Sequence, residues 1–202
     1  MSLRSDLAAI AGLIPQNARV LDVGCGDGAL LEYLSETKNV DGRGLELSQQ
    51  KVNASVARGL PVIQGDADTD LGEYPSQVFD VVILSLTIQA TRNPRAVLSE
   101  MLRIGRRTIV SLPNFGHWHI RLGLLAQGRM PRNKTLDNEW YDTPNIHLCT
   151  IADFVDLAET CGAEIEQAFA LTPTGRTKPM SPRSWGPNLL AEAAIFLLRG
   201  NH

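Results

Sequence analysis

The sequence predicts an α/β fold in which helices cover both faces of a mostly parallel sheet. Three observations support this class. Short apolar segments alternate with helix-like segments through the first half of the chain, which is the order of a βαβ repeat. The strand-like segments are continuous apolar runs, as expected when both faces of a sheet are buried. Capping and turn residues separate the segments at short intervals.

The predicted elements follow one another closely up to residue 112. Apolar positions at helical spacing predict a first helix that Pro15 ends. Ser48 is expected to cap the third helix and Gly59 to follow it, and Asn93 with Pro94 begins the fourth. The predicted helices are residues 3–14, 29–34, 49–58 and 94–105. The predicted strands are residues 19–23, 41–47, 60–64, 79–84 and 107–112.

The pattern changes after Pro113. Residues 114–148 are rich in Gly, Pro, His, Trp and Arg and show little periodicity, so we expect a lid or inserted segment at 113–149 within one domain of residues 1–202. Thr150 and Asp153 form a capping-box pattern that begins a helix, and Gly162 can end it. The predicted strands are 163–171 and 189–198, and the predicted loop between them is 172–188.

Composition and charge exclude several function classes. Nineteen Lys and Arg against 22 Asp and Glu give a net charge of −3, which argues against a broad electrostatic grip on nucleic acid. Cys25, Cys149 and Cys161 form no C-x-x-C pair, so we expect a reducing, cytoplasmic setting. The first residues do not resemble a signal peptide, and no run of about 18 apolar residues predicts a membrane span.

The most informative motif is a glycine-rich loop between the first strand and the next helix. The sequence VLDVGCGDG, residues 20–28, contains Gly24, Gly26 and Gly28. Glycine lets the backbone turn sharply and approach a ligand, at the strand end where open α/β sheets bind one. The spacing differs from the dinucleotide motif, and Asp22 and Asp27 would repel a pyrophosphate but attract a cationic or zwitterionic ligand.

Residues at the ends of the next strands fit an adenosine-containing ligand. Glu46 ends the second strand about 20 residues beyond the glycine loop, where an acidic side chain accepts hydrogen bonds from both ribose hydroxyls. Asp66 ends the third strand, where its carboxylate can accept from an adenine amino group, and Ala67 leaves room for the ring. The remaining wall is expected to come from Ser85, Leu86 and Thr87.

These elements resemble the successive motifs of class I S-adenosylmethionine-dependent methyltransferases. The matching segments are DVGCGDG at 22–28, E at 46, GD at 65–66 and FDVVIL at 79–84, in order over roughly residues 15–115. The resemblance implies a Rossmann-like, mostly parallel seven-stranded sheet with one late antiparallel strand, and S-adenosylmethionine or S-adenosylhomocysteine as ligand. The ligand-binding residues implied are Asp22, Gly24, Cys25, Gly26, Gly28, Glu46, Leu47, Asp66, Ala67 and Ser85.

The rest of the chain resembles the methionine biosynthesis protein W (MetW) family. The segments that carry this resemblance are SLTIQATR at 85–92, PNFGHW at 113–118, GRMP at 128–131 and EWYDTPNIHLC at 139–149. The family is bacterial and associated with homoserine O-acyltransferase, which activates homoserine for methionine synthesis. The resemblance therefore implies a protein that binds S-adenosylmethionine and acts with that acyltransferase.

Two other enzyme functions stay open. An independent methyltransferase would hold a small acceptor in line with the methyl sulfonium, and a histidine such as His117 or His147 could remove a proton from it. An oxidoreductase that uses a nicotinamide cofactor is the third hypothesis, and the loop spacing and Asp27 argue against it. The place after the fourth strand lacks the Asn/Asp-Pro-Pro-aromatic motif of enzymes that methylate base amino groups.

The middle segment is basic and aromatic. His117, His119, His147 and Cys149 match no standard zinc spacing, so no metal is expected. Aromatic and arginine side chains are enriched at protein interfaces, so we expect the segment to contact a partner or a substrate. The residues concerned are Trp118, Arg121, Arg129, Arg132, Lys134, Trp140 and Tyr141.

Overall fold

The computed structural model describes residues 3–130, 139–172 and 175–201, where strands and helices alternate along the chain. The strands are β1 (Arg19–Val23), β2 (Asp41–Glu46), β3 (Val62–Gln64), β4 (Phe79–Ser85), β5 (Gly105–Pro113), β6 (Ala163–Leu171), β7 (Thr177–Pro179) and β8 (Ala193–Gly200). The helices are α1 (Ser5–Leu13), α2 (Ala29–Lys38), α3 (Gln49–Ala57), α4 (Pro94–Ile104), α5 (Trp118–Gln127), α6 (Ile151–Thr160) and α7 (Trp185–Leu190). None of these described helices is long and apolar enough to cross a membrane.

All eight described strands belong to one sheet, in the order β3-β2-β1-β4-β5-β8-β6-β7. β1 to β6 run in one direction, and β7 and β8 run against them. The expected fold class, with a late antiparallel strand, is confirmed. The sheet has one strand more than expected, because the three residues of β7 pair with the edge strand β6 inside the predicted loop. That pairing is a tertiary contact, which local sequence does not encode.

Alternate residues of the central strands point to opposite faces of the sheet. On one face Val20 and Ile83 belong to a buried cluster that includes side chains of α1 and α2. On the other face Leu21 and Val82 belong to a second cluster, formed with α4 and α6. Helices therefore cover both faces, which is why β1 and β4 are continuous apolar runs rather than alternating ones.

The antiparallel strand β8 fills the position between β5 and β6. Its residues from Ala193 to Leu198 are buried, and Phe196 packs against Phe154 of α6 with ring centroids 4.8 Å apart. A strand buried on both faces has no polar alternation, so the sequence of this region resembled a helix as much as a strand. The strand begins at Ala193, and α7 occupies the preceding residues up to Leu190.

Helix capping follows the predicted residues in two of three cases. The Thr150 hydroxyl accepts from the backbone N–H of Asp153 at 3.2 Å, and the Asp153 carboxylate accepts from the N–H of Thr150 at 2.8 Å. Asn93 caps α4 through its side-chain oxygen. Ser48 stands at the start of α3, but its side chain makes no capping bond, and its backbone N–H donates to Glu46 instead.

The segment at 114–148 contains a helix that the sequence pattern did not predict. Ile120 is the one buried residue of α5. The helix therefore has no regular stripe of apolar residues facing the core, which is the pattern that predicts a helix from sequence. Helix α7 begins in the predicted loop at 172–188 and ends at Leu190, within the predicted strand at 189–198, and none of its residues is buried. The predicted start of that strand is therefore wrong, since the strand begins at Ala193. Arg132 and Lys134 of the basic segment lie outside the described residues.

The buried side chain of Asn114 joins the end of β5 to the elements that follow it. Its amide nitrogen donates to the carbonyl oxygens of Asn188 at 2.9 Å and Ala191 at 2.8 Å. Its amide oxygen accepts from the backbone N–H groups of Gly116 at 3.0 Å and Ile151 at 3.4 Å. One side chain thus satisfies backbone groups at the start of the insertion and in the elements that follow it.

We expect Asn114→Ala to lower the free energy of unfolding by about 2–4 kcal/mol, because it leaves several buried donors and acceptors without a partner. Urea titration monitored by circular dichroism measures this. The matched control is Asn53→Ala on the exposed side of α3, which should change stability by less than about 0.5 kcal/mol. Equal effects of the two substitutions would contradict the role given to Asn114.

Candidate ligand-binding site

A cavity of about 410 Å³ lies at the carboxyl ends of β1 to β4. The strand order reverses there, since β2 and β3 follow on one side of β1 while β4 and β5 lie on the other. Open α/β sheets bind ligands at such a switch point, and the volume lies within the range of roughly 300–1,000 Å³ for small-molecule sites. The cavity is the candidate functional site.

The structure brings half of the predicted ligand residues together around this cavity. The predicted residues on its wall are Gly24, Glu46, Leu47, Asp66 and Ala67. The predicted residues that are not part of its wall are Asp22, Cys25, Gly26, Gly28 and Ser85. The wall also includes residues to which sequence analysis assigned no ligand contact, among them Lys51, Asp68, Arg92, Pro144 and Asn145.

The glycine loop needs glycine for its conformation and for space. Gly24, Gly26 and Gly28 have φ angles of +71°, +62° and +78°, in the left-handed region that other residues rarely adopt. A Cβ added to Gly24 would lie 2.9 Å from the Thr87 hydroxyl oxygen, and both residues line the cavity. A side chain at position 24 would therefore close part of the site.

Glu46 connects the glycine loop to the end of β2. One carboxylate oxygen accepts from the backbone N–H of Gly26 at 2.8 Å, and the other accepts from the N–H of Ser48 at 2.9 Å. Glu46 is only 7% exposed, yet it reaches the cavity wall. Because a carboxylate offers about four lone pairs, two of them stay available for a ligand.

Asp22 is a second buried carboxyl group next to Glu46. Its side chain makes no hydrogen bond to the residues that the structure describes, and it is 3% exposed. Burial, together with the negative charge of Glu46, raises the pKa of Asp22 to about 7. A cation placed near this pair would favour the ionised form of Asp22.

The Cys25 thiol is buried inside the loop. Its sulfur packs close to Gly44 of β2, where an added Cβ would lie 2.6 Å from it. Burial and the negative charge of Asp22 raise the pKa of Cys25 to about 12. A thiol in this state is a small packing group and not a nucleophile.

A group of charged residues encloses the far side of the cavity. Asp66 accepts from the guanidinium of Arg92 at 2.5 Å and from the backbone N–H of Asp68 at 2.9 Å. Asp68 accepts from the backbone N–H groups of Arg92 at 2.9 Å and Asn93 at 2.8 Å. The loop after β3 is thereby tied to the start of α4. Only the spacing Asp66-x-Asp68 could have indicated this cluster from sequence.

The chain leaves β4 in a conformation unusual for a side-chain-bearing residue. Leu86 lines the cavity with φ +49°, and the amide nitrogen of Gln89 donates to its carbonyl oxygen at 2.6 Å. The Leu86 N–H donates to Ser111 of β5. The Ser85 hydroxyl lies 3.2 Å from that of Ser111, which accounts for its place outside the cavity wall. Such backbone strain concentrates at binding sites.

The two histidine candidates have different surroundings. His117 is buried and begins α5, where its Nδ1 accepts from the N–H of His119 at 3.4 Å. Burial lowers the pKa of His117. His147 donates its backbone N–H to Gln89 at 2.9 Å, and it follows two residues of the cavity wall. A catalytic role for either histidine stays a prediction.

We expect Asp22→Asn to become more stabilising, relative to the wild-type chain, as the pH rises from 4 to 7. An unfolded Asp loses its proton near pH 4, but folded Asp22 keeps it until about pH 7, so the wild type loses stability through this interval. The difference should reach at most about 4 kcal/mol. Urea titrations at several pH values measure it, with the exposed Asp41→Asn as control. If the difference in unfolding free energy between Asp22→Asn and the wild type does not change with pH, the raised pKa of Asp22 is refuted.

Solved structures with this fold include methyltransferases and a [4+2]-cyclase. An S-adenosylmethionine-dependent methyltransferase of Mesorhizobium loti has a TM-score of 0.69 at 17% identity, over 96% of this chain and 97% of its own. An S-adenosylmethionine-dependent methyltransferase of Thermotoga maritima has a TM-score of 0.70 at 18% identity, over 96% and 87%. At such identities the likeness establishes the fold alone.

Sequence comparison adds the family. The bifunctional methionine biosynthesis protein MetXA/MetW of Rhodopirellula baltica is 35% identical over 97% of this chain and 33% of its own length. Ajmaline N-methyltransferase of Rauvolfia serpentina is 25% identical over 75% of this chain and 53% of its own length. The chain thus spans about a third and about half of these relatives. The model of the family described as Methionine biosynthesis protein MetW matches residues 4–198, and the chain therefore belongs to that family.

Proposed function

We propose that this chain binds S-adenosylmethionine or S-adenosylhomocysteine and acts with homoserine O-acyltransferase in methionine biosynthesis. One observation carries the proposal: the Rhodopirellula relative joins MetXA and MetW in a single bifunctional protein. We infer that its MetXA part is the acyltransferase that the family resemblance implies. Two modules in one chain stay at high effective concentration, which supports a physical association between the separate proteins.

The residues around the cavity fit the proposed ligand. Glu46 offers two free lone pairs for the ribose hydroxyls, and Asp66 and Ala67, which we propose contact the adenine, line the same cavity. The glycine loop leaves the space that a Cβ would fill. When bound, S-adenosylmethionine supplies a methyl group on a sulfonium. The full proposed ligand set is Asp22, Gly24, Cys25, Gly26, Gly28, Glu46, Leu47, Asp66, Ala67 and Ser85.

The charges near the cavity favour a ligand with a positive centre. Asp22 and Glu46 are buried carboxyl groups on the loop side, while Arg92 forms ion pairs with Asp66 and Asp68 on the other side. Among the described residues no cationic side chain pairs with Asp22 or Glu46, so the ammonium and sulfonium of the ligand would be attracted beside the glycine loop. A pyrophosphate would be repelled there, which argues against a nicotinamide cofactor.

Ligand binding could control the acyltransferase by linkage. S-adenosylmethionine is made from methionine, the product of the pathway, so its concentration reports on the pathway's output. The ligand changes acyl transfer only if it binds one state of the complex better than another. The proposed function is therefore that of an accessory, ligand-sensing subunit.

The cellular setting and domain organisation are also proposals. The three cysteines all lie in the described part of the chain and none of them forms a disulfide, which supports a reducing cytoplasm. Hydrogen bonds between Asn114, at the start of the insertion, and Ile151 and Ala191 beyond it support a single domain with 113–149 as its inserted segment.

We expect Glu46→Ala to weaken S-adenosylhomocysteine binding by about 10- to 100-fold, because charge-assisted hydrogen bonds to the ribose are lost. Isothermal titration calorimetry measures the Kd. The matched control is Asp41→Ala at the exposed start of the same strand, which should leave the Kd unchanged. An unchanged Kd for Glu46→Ala would argue against both the sensing subunit and an independent methyltransferase.

We expect the chain to co-elute with the homoserine O-acyltransferase of the same organism and to increase its rate of homoserine acylation. The assay compares acyl transfer with and without this chain, and then titrates S-adenosylmethionine to detect ligand control. If there is neither co-elution nor a change in rate, the accessory function is refuted. Formation of S-adenosylhomocysteine with a small acceptor would then support an independent methyltransferase, as the similarity to an N-methyltransferase suggests.

A further inference from the structure

Helix α5 turns its apolar side chains toward solvent. Trp118, Leu122 and Leu125 are spaced i, i+4 and i+7, so they lie on one face of the helix. They are 39%, 53% and 84% exposed, whereas Ile120 is buried at 3%. We call Trp118, Leu122 and Leu125 the outer face of α5. A continuous apolar stripe on a helix surface indicates a site of association, whereas single exposed residues do not.

The helix that carries this face is firmly attached. The side chain of His117 caps its first turn, where Nδ1 accepts from the backbone N–H of His119 at 3.4 Å. Next to it, the N–H of Phe115 donates to the carbonyl of Cys149 at 3.0 Å. Leu190, at the end of α7, is 59% exposed. The outer face therefore lies on a helix that is attached to the rest of the fold at its first turn and through the buried side chain of Ile120.

The charge around α5 indicates the kind of surface that would cover it. Residues 114–130 include Arg121 and Arg129 but no Asp or Glu, in a chain whose net charge is −3. Both arginines are exposed. A complementary partner surface is therefore an apolar groove with carboxylates along its rim.

A second copy of this chain fits that description poorly. In a two-fold symmetric dimer the same patch faces itself, so the arginines beside α5 would approach their own copies. Like charges at an interface oppose association. A different protein with an acidic rim fits the outer face better.

We propose that the outer face of α5 is the docking surface for homoserine O-acyltransferase, which receives it in an apolar groove bordered by acidic side chains. This inference rests on the proposed function and assigns that association to one helix. The segment between β5 and α6 carries both α5 and two residues of the ligand cavity wall, Pro144 and Asn145. Docking on α5 therefore engages the segment that also borders the ligand.

The test measures binding of the acyltransferase from the same organism to variants of the full chain, by co-elution and by titration. Leu122→Asp with Leu125→Asp should weaken binding at least about tenfold, since central apolar residues dominate interfaces. Leu125→Met keeps the apolar character and should bind like the wild type. The matched control is Val56→Asp on α3, a 53% exposed aliphatic residue elsewhere on the surface, which should not change binding.

The outcomes separate this inference from the proposed function. If the wild type binds and the double Asp variant binds equally well, the α5 assignment is wrong and the proposed function stands. If the wild type does not bind, both fail. Light scattering of the isolated chain gives a further outcome, because self-association that the double variant abolishes would make a second copy the occupant and overturn the inference. Circular dichroism and thermal unfolding confirm that each variant is folded.

Discussion

The candidate site depends on the two backbone hydrogen bonds that Glu46 accepts. The glycine loop after β1 and the turn after β2 would each leave an N–H group in a confined space, and one carboxylate satisfies both. This arrangement fixes the loop at Gly26 and brings Glu46 to the cavity wall. Its cost is the burial of negative charge, which the raised pKa of the neighbouring Asp22 reflects.

The insertion between β5 and α6 contributes both to the cavity wall and to the outer surface of the protein. Its later part borders the ligand cavity, and its helix α5 presents an apolar face to solvent. Asn114 holds the base of the insertion to α6 and α7 by hydrogen bonds. A segment that is fixed at its base and borders both the cavity and an outer surface can couple the two by linkage.

Much of the fold could be predicted because its determinants are local. The strands β1 and β6 have the predicted bounds, and the Thr150 and Asp153 capping box forms as expected, since apolar runs and caps depend on neighbouring residues. Helix α5 was missed because its apolar residues point outward and Ile120 alone is buried. The short strand β7 was missed because it exists only through pairing with β6.

The sequence by itself determined the class of the fold, the position of the glycine loop and the family, because motif spacing along the chain carries that information. It also indicated Glu46 and Asp66 as acidic strand ends. Only the tertiary structure decided that Glu46 accepts a hydrogen bond from the glycine loop and that Arg92 forms an ion pair with Asp66. It also decided that Leu86 takes a left-handed conformation at the cavity. The first two are contacts between residues far apart in the chain. Their geometry arises only when parallel strands bring their carboxyl ends to one edge of the sheet.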